Sequence, residues 1–406
     1  MIDTTVKDNT NSANSFIPLR CVPDKTMKKL TYFFICLLAS YGCHKSANNT
    51  VVPVTEYGVL SRGINLSNWF NDYSDPTQFA NRFSLQTLQL IKQKGFTYVR
   101  IPVGNTILFN ENNPGLLNSG NLTAVDNAVQ NCITAGLGVT LNLHPWQNNT
   151  DSLLAASTIY QDKLALYWKT LAAYFKKYDT SKIYFEVLNE PHASAGGLTT
   201  QGYSWWQPVQ EKLVKAIREA APDHYIIAGG EGWNSIVGLK QLQPYNVSRV
   251  IYNFHFYDPF LFTHQGATWA GWLPALLGEN IPYPSTPENT ASLIATASNI
   301  ELKNALSWYG SQRINIDSLD KWIKVAADWG AVHNVKVIAN EFGSYALKAP
   351  RQSRLAYLHD VRTVMEKYNI GWAMWECDEG FGWISYPGGN RNAPLIDNEV
   401  LQALGL

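Results

Sequence analysis

The sequence lacks most of what would mark a membrane protein, a nucleic-acid binder or a disulfide scaffold. No apolar run reaches the roughly 18 residues that a membrane helix needs. Lys plus Arg number 32 and Asp plus Glu 32, so formal charge is zero and no basic excess exists to hold a phosphate backbone. Nucleic acid is therefore not an expected partner. Cysteine is scarce: three of the five lie in the first 43 residues, which leaves Cys132 and Cys377 for the rest. With no CxxC pair, no disulfide framework is readable, and both read as ordinary buried or semi-buried thiols. No internal repeat or low-complexity tract is visible. No HExxH or comparable spacing points to a metal.

Aromatic residues are what the chain has in plenty, at 13% of 406 residues, within a hydrophobic share of 46%. That is enough for a large core. Length alone suggests two or three domains, but α/β barrels of this size commonly form one. The N-terminus reads as an address. Residues 1–26 are polar and aperiodic, an unstructured stretch or a mis-assigned start. Met27-Lys28-Lys29 followed by the apolar Leu30–Ala39 and a small-residue site reads as a signal peptide over 27–43. Gly42-Cys43 resembles a bacterial lipoprotein site, with Cys43 as the lipidated residue and Ser40 in place of the usual Leu. Residues 44–55 read as a tether. The expected location is secreted or cell-surface, in a bacterium, with any membrane contact made through that anchor.

From 56 to 406, strand-like and helix-like segments alternate. Strands are expected at 64–66, 98–103, 139–143, 183–188, 225–228, 250–254, 337–339 and 372–375. Helices are expected at 84–94, 123–135, 162–178, 205–220, 235–241, 319–332, 355–368 and 398–404. Helix 162–178 is the clearest, with Leu164, Tyr167, Trp168, Leu171 and Phe175 at three- and four-residue spacing. Eight β/α units predict one closed (β/α)8 TIM barrel with a long insertion after the sixth strand, residues 256–317. An open doubly wound sheet is the alternative, but it wants a glycine-rich phosphate loop after the first strand, and Arg62-Gly63-Ile64-Asn65-Leu66-Ser67 is not one.

In such a barrel the functional face lies at the C-terminal ends of the strands. Trp69, Trp146, Trp233, Trp269, Trp272, Trp375 and Trp383 all fall there in the sequence. Sugar rings present C–H faces that stack on indoles, so this clustering favours an aromatic groove for a glycan; the competing reading is loops packing on themselves. Glu190 and Glu341 close the fourth and seventh apolar strands. Paired carboxylates across a cleft suit glycoside cleavage, one protonating the departing oxygen and one attacking the anomeric carbon. Glu231, Glu376, Asp378 and Glu379 compete for those roles. His264, in the long loop, reads equally as a substrate contact or as a loop-ordering residue.

With these residues in place, the chain resembles glycoside hydrolase family 5, the cellulase family. The resemblance runs in order through Gly63-Ile64-Asn65, Val99-Arg100-Ile101-Pro102, His144, Leu188-Asn189-Glu190-Pro191, His255-Phe256-Tyr257, Glu341-Phe342-Gly343 and Trp375. It implies that Glu190 is the acid/base and Glu341 the nucleophile. Arg100 and Tyr257 would support Glu341, Asn189 would hold the sugar 2-hydroxyl, His144 and His255 would bind hydroxyls or orient the acids, and Trp375 would floor the subsite of the attacked ring. Trp69, Trp146, Trp233, Trp269 and Trp272 are candidate subsite aromatics. The implied activity is a retaining endo-β-1,4-glucanase, with a β-mannanase or other β-glucanase as the alternative. A surface barrel that binds glycan without cleaving it is the non-enzymatic rival. Two carboxyl groups and water suffice, so no cofactor and no metal are expected. The expected partner is a polysaccharide or oligosaccharide, and the chain is expected to be a monomer.

Overall fold

The computed structural model describes residues 59–145, 149–197, 199–269 and 278–406. The expected signal peptide, Cys43 and the tether lie outside these residues, as do Trp146 and Trp272. Eight strands close into a barrel in sequence order, every neighbouring pair parallel. They are β1 (Arg62–Asn65), β2 (Tyr98–Val103), β3 (Gly138–Leu143), β4 (Ile183–Glu186), β5 (Tyr225–Gly229), β6 (Val250–Phe256), β7 (Val337–Phe342) and β8 (Gly371–Met374).

Helices cover the outside, each held by local chemistry. Ser84 caps helix Leu85–Gln93 by accepting from the Thr87 amide, and Asn315 caps Ile316–His333 in a reciprocal capping box. The five apolar residues singled out in helix Thr158–Phe175 are all buried. In Ile316–His333 the buried stripe runs through Leu319, Ile323, Ala326 and Trp329. Trp322 lies beside that stripe and not at its centre, because four-residue steps from Leu319 favour Ile323.

Two differences from the sequence reading matter for the site. β4 ends at Glu186, not at Leu188, so Asn189 and Glu190 stand on an irregular extension. Its course is fixed by amide bonds from Val187 to the Ile227 carbonyl and from Asn189 to the Leu143 carbonyl. The long insertion also carries helices of its own, Pro287–Thr296 and Ile300–Ser311 among them, each begun by a side-chain cap.

Alternation along the strands layers the barrel interior. Tyr98, Tyr184, Ile227, Ile251, Ile338 and Ala373 pack with Leu60 as one apolar layer. Two residues further along, Arg100, Glu186, Asn253 and Asn340 follow, each fully buried. The site stands on this polar layer.

Candidate active site

Arg100 is the hub of the polar layer. Its Nε and Nη2 donate to the two oxygens of Glu186 at 2.8 and 2.9 Å. Nη1 donates to Asn65 Oδ1 at 2.8 Å and to Glu341 Oε1 at 2.6 Å, and Nη2 also reaches Asn189 Oδ1 at 2.9 Å. Two carboxylates around one buried guanidinium hold it protonated against the cost of burial.

Glu341 enters the mouth because β7 is irregular. Phe254 of β6 pairs with Ala339, but His255 pairs with Glu341, so one residue of β7, Asn340, is extra. A bulge of this kind re-aims the side chains beyond it. Asn340 thus donates inward to Glu186 at 2.7 Å, while its neighbour Glu341 also meets Arg100. Strict alternation would put these two side chains on opposite faces. The Tyr257 hydroxyl donates to Glu341 Oε2 at 2.9 Å.

Glu190 faces Glu341 from a backbone held at φ 45°, the left-handed region that few non-glycine residues occupy. His255 Nδ1 lies 2.7 Å from Glu190 Oε1 and 3.5 Å from Glu341 Oε2. One oxygen of each acid and a nitrogen of His255 all fall within 4.8 Å of one another. Such a trio could reach a common cation. Here Glu341 already takes donors from Arg100 and Tyr257, and a second positive charge would oppose the guanidinium, so the donor set suits proton chemistry better than a metal.

The acids differ in surroundings. Burial pushes Glu190 up to about 7, with the charges of His192 and Arg100 opposing. Burial also raises Glu341, opposed by His255 and Arg100. The short Arg100 contact gives Glu341 the stronger hold on the charge, and the proton belongs on Glu190. Burial lowers His255 to about 4 and His144 well below the usual range, so both rings are neutral. His144 Nδ1 lies 3.0 Å from Asn142 Oδ1, and its Nε2 lies 3.1 Å from Asn189 Nδ2. An amide oxygen only accepts and an amide nitrogen only donates, so Nδ1 carries the hydrogen. Asn189 is thereby fixed at both ends.

Above the acids a cleft of about 450 Å³ opens. His144, Asn189, Glu190, Tyr257, Glu341 and Trp375 line it, with His264, Trp269, Tyr345 and Phe381 forming part of its wall. Trp375 stacks on His144, ring centres 5.8 Å apart. Trp269 is 61% exposed. His264 does both things expected of it: it lines the cleft and stacks on Phe260, 3.9 Å away. Trp233 stands beside the cleft and stacks on His192.

Trp69 is a correction. It is buried between Phe70 and Phe83, and its indole N–H donates to the Phe79 carbonyl at 2.7 Å, so it presents no face to a ligand. Trp383 is likewise core. Of the competing carboxylates, Glu231 takes the amides of Ser194 and Ala195, and Asp378 and Glu379 pair with Arg82. Only Glu376 and Glu379 among the four line the cleft. Glu186 and the inward role of Asn340 went unread in the sequence. The available signal was Glu186 two residues after Tyr184, a lone charge inside an apolar strand.

The family model described as cellulase (glycosyl hydrolase family 5) matches residues 51–380. Endoglucanase 3 of Fibrobacter succinogenes is 27% identical over 367 residues, covering 86% of this chain and 53% of that protein. The chain therefore spans about half the length of that relative. Endoglucanase C of Acetivibrio thermocellus is 28% identical over 322 residues, covering 77% of this chain and 90% of that one. Solved structures of Thermotoga maritima Cel5A with cellobiose and with mannotriose are each 25% identical, with TM-score 0.67. Each covers 87% of this chain and 99% of its own.

Proposed function

The chain belongs to the cellulase family, glycosyl hydrolase family 5, and is a glycoside hydrolase of the β-glucanase type; from that premise we propose that it cleaves β-1,4-linked glucan internally, with retention of configuration. The carrying observation is that one carboxyl oxygen of Glu190 and one of Glu341 lie within 4.8 Å of each other, a proximity that favours the closely spaced acids of a retaining site over the wider pair of an inverting one.

In this reading Glu341, ionised beside Arg100 and Tyr257, attacks the anomeric carbon. Glu190, protonated near neutral pH, gives its proton to the leaving oxygen. A glycosyl-enzyme ester forms on Glu341. Glu190, now a carboxylate, takes a proton from water as that water displaces the ester, which restores both acids. Asn189 has one amide hydrogen committed to His144, and the other is available for the sugar 2-hydroxyl, a bond that strengthens as oxocarbenium character develops. Trp375 floors the subsite of the attacked ring, and Trp269 walls the cleft.

The mannotriose complex of the Thermotoga maritima protein supports a second reading, β-mannan as substrate. Hydrolysis of carboxymethylcellulose, mixed-linkage glucan, xyloglucan and mannan decides between them. Proton NMR of the first product formed should show the β-anomer, and an α-anomer would overturn the retaining mechanism. The N-terminal reading supports export, with residues 27–43 as a signal peptide and Cys43 as a lipid attachment point. Mass spectrometry of the mature N-terminus tests it.

A further inference from the structure

The loop that carries Glu190 is gripped by residues that touch neither acid's reacting oxygens. His192 Nδ1 lies 2.7 Å from the main-chain oxygen of Glu190 and 2.9 Å from Asp151 Oδ2. The His192 amide donates to that same Asp151 oxygen at 3.3 Å. Asp151 is buried, on helix Thr150–Ala156, which comes after β3. The other side of the grip is Trp233, from the turn after β5, whose ring lies 5.2 Å from the His192 ring and within 10° of parallel. Trp233 and Gly232 both donate main-chain hydrogens to the Pro191 carbonyl. Two segments of the barrel rim, one after β3 and one after β5, thus converge on the two residues after Glu190.

The geometry points to a role: we propose that Asp151 and His192 are positioning residues for the general acid. They clamp its carbonyl in the left-handed conformation and keep one positive charge beside its carboxyl. This rests on Glu190 being the acid/base. The carbonyl of a residue at φ 45° has no neighbour in a helix or strand ladder to fix it. The single Nδ1–H of His192, shared between that carbonyl and Asp151 Oδ2, supplies that partner, and the Asp151 contact holds the ring in place. Burial works against charge on His192, but the hydrogen bond and charge of Asp151 lift it to about 9, so it is a cation at neutral pH.

Other titratable groups also face Glu190: Arg100 from β2, Glu186 from β4, His255 from β6 and Tyr257 just beyond it, Glu341 from β7, and Asp151 itself. His192 and Arg100 favour its carboxylate; Asp151 and Glu186 favour its acid form. Removing the His192 charge alone should make Glu190 harder to ionise.

The test is the pH profile of kcat/KM for His192→Gln and His192→Ala, on a cellooligosaccharide and on a dinitrophenyl cellobioside. His192→Gln keeps a donor near the carbonyl and removes the charge. Its alkaline limb on the oligosaccharide should move up by roughly half a pH unit or more. At pH 6 His192→Ala, which removes the clamp as well as the charge, should fall about tenfold on the oligosaccharide and less than about twofold on the activated glycoside. It should lose more than His192→Gln on the oligosaccharide at every pH. An unmoved limb in His192→Gln, or equal losses on both substrates in His192→Ala, would overturn the proposal, since general destabilisation does not discriminate leaving groups. Glu190→Ala run beside them separates the two readings. Should it retain polymer activity, the acid/base assignment falls and the clamp falls with it. Should it be inactive on polymer while His192→Gln shifts nothing, only the clamp is wrong.

Discussion

Glu186 accepts two nearly equal hydrogen bonds from Arg100, at 2.8 and 2.9 Å, and neither side chain has any contact with solvent. This pair orients the third guanidinium nitrogen, which meets Glu341 at 2.6 Å. Glu186 therefore bears on Glu341 through Arg100. Glu186→Ala would leave a buried cation short of one partner, at a cost of about 3–5 kcal/mol of stability. Urea unfolding at pH 7 measures it. Glu186→Gln, which keeps the shape, should cost less and should leave a folded enzyme with reduced kcat. A variant as stable as the parent would contradict the account of the polar layer.

In the proposed mechanism the two acids set the pH profile from opposite sides. Glu190 works protonated, so kcat/KM on polymer should fall as pH rises through about 7. Glu341 works ionised and burial raises it, so activity should fall on the acid side at a pH above that of an ordinary glutamate. A dinitrophenolate leaving group needs no proton, so on an aryl glycoside of that kind the alkaline limb should flatten. A limb of equal steepness on both substrates would assign it to some other group.

Two tryptophans separate packing from binding. Trp69 is enclosed and Trp269 is 61% exposed on the cleft wall. Trp69→Ala should destabilise by about 3–5 kcal/mol and leave KM for oligosaccharide nearly unchanged where the enzyme is still folded. Trp269→Ala should do the reverse. It should weaken polymer binding by about 1–3 kcal/mol, by analogy with ring stacking on nucleic-acid bases, and leave turnover of a short aryl glycoside little changed. Thermal melts and affinity gels distinguish them. Unfolding of Trp269→Ala would mean that its contacts with His264, Tyr345 and Phe381 are structural.

How far the site could be read in advance depends on which signals are local. The barrel announced itself through alternating periods of two and about 3.6 residues, and the strand-end residues came with its topology. Arg100, Asn189, Glu190, Tyr257 and Glu341 do meet in one cleft or directly beneath it. What escaped is what pairing decides. The extra residue at Asn340 exists only relative to the partner strand β6, so no pattern within β7 reveals that Asn340 and Glu341 turn the same way. Trp69 and Trp269 both come after strands, and only packing distinguishes them. Glu186 sat inside an apolar run, where a single charge looks like an interruption until Arg100 is placed opposite.

The last prediction assigns the two acids separately. Glu190→Ala should still form the glycosyl-enzyme from a dinitrophenyl glycoside, because that leaving group departs without help. It should then stall, since no base remains to activate water. Azide fits the space left by the side chain and needs no deprotonation, so it should restore turnover and release a β-glycosyl azide after two displacements. Glu341→Ala has no nucleophile and forms no covalent intermediate. Azide occupying the place of the Glu341 carboxylate, beside Arg100 and Tyr257, can only attack directly, and one displacement gives the α-azide. The anomeric coupling of the azide product, read by NMR, therefore distinguishes the roles by stereochemistry and not by the size of a rate loss, which a misfolded variant could imitate. A β-azide from Glu341→Ala together with an α-azide from Glu190→Ala would exchange the assignments. Wild-type polymer activity in both variants would move the search to Glu376, the buried carboxyl in the cleft wall.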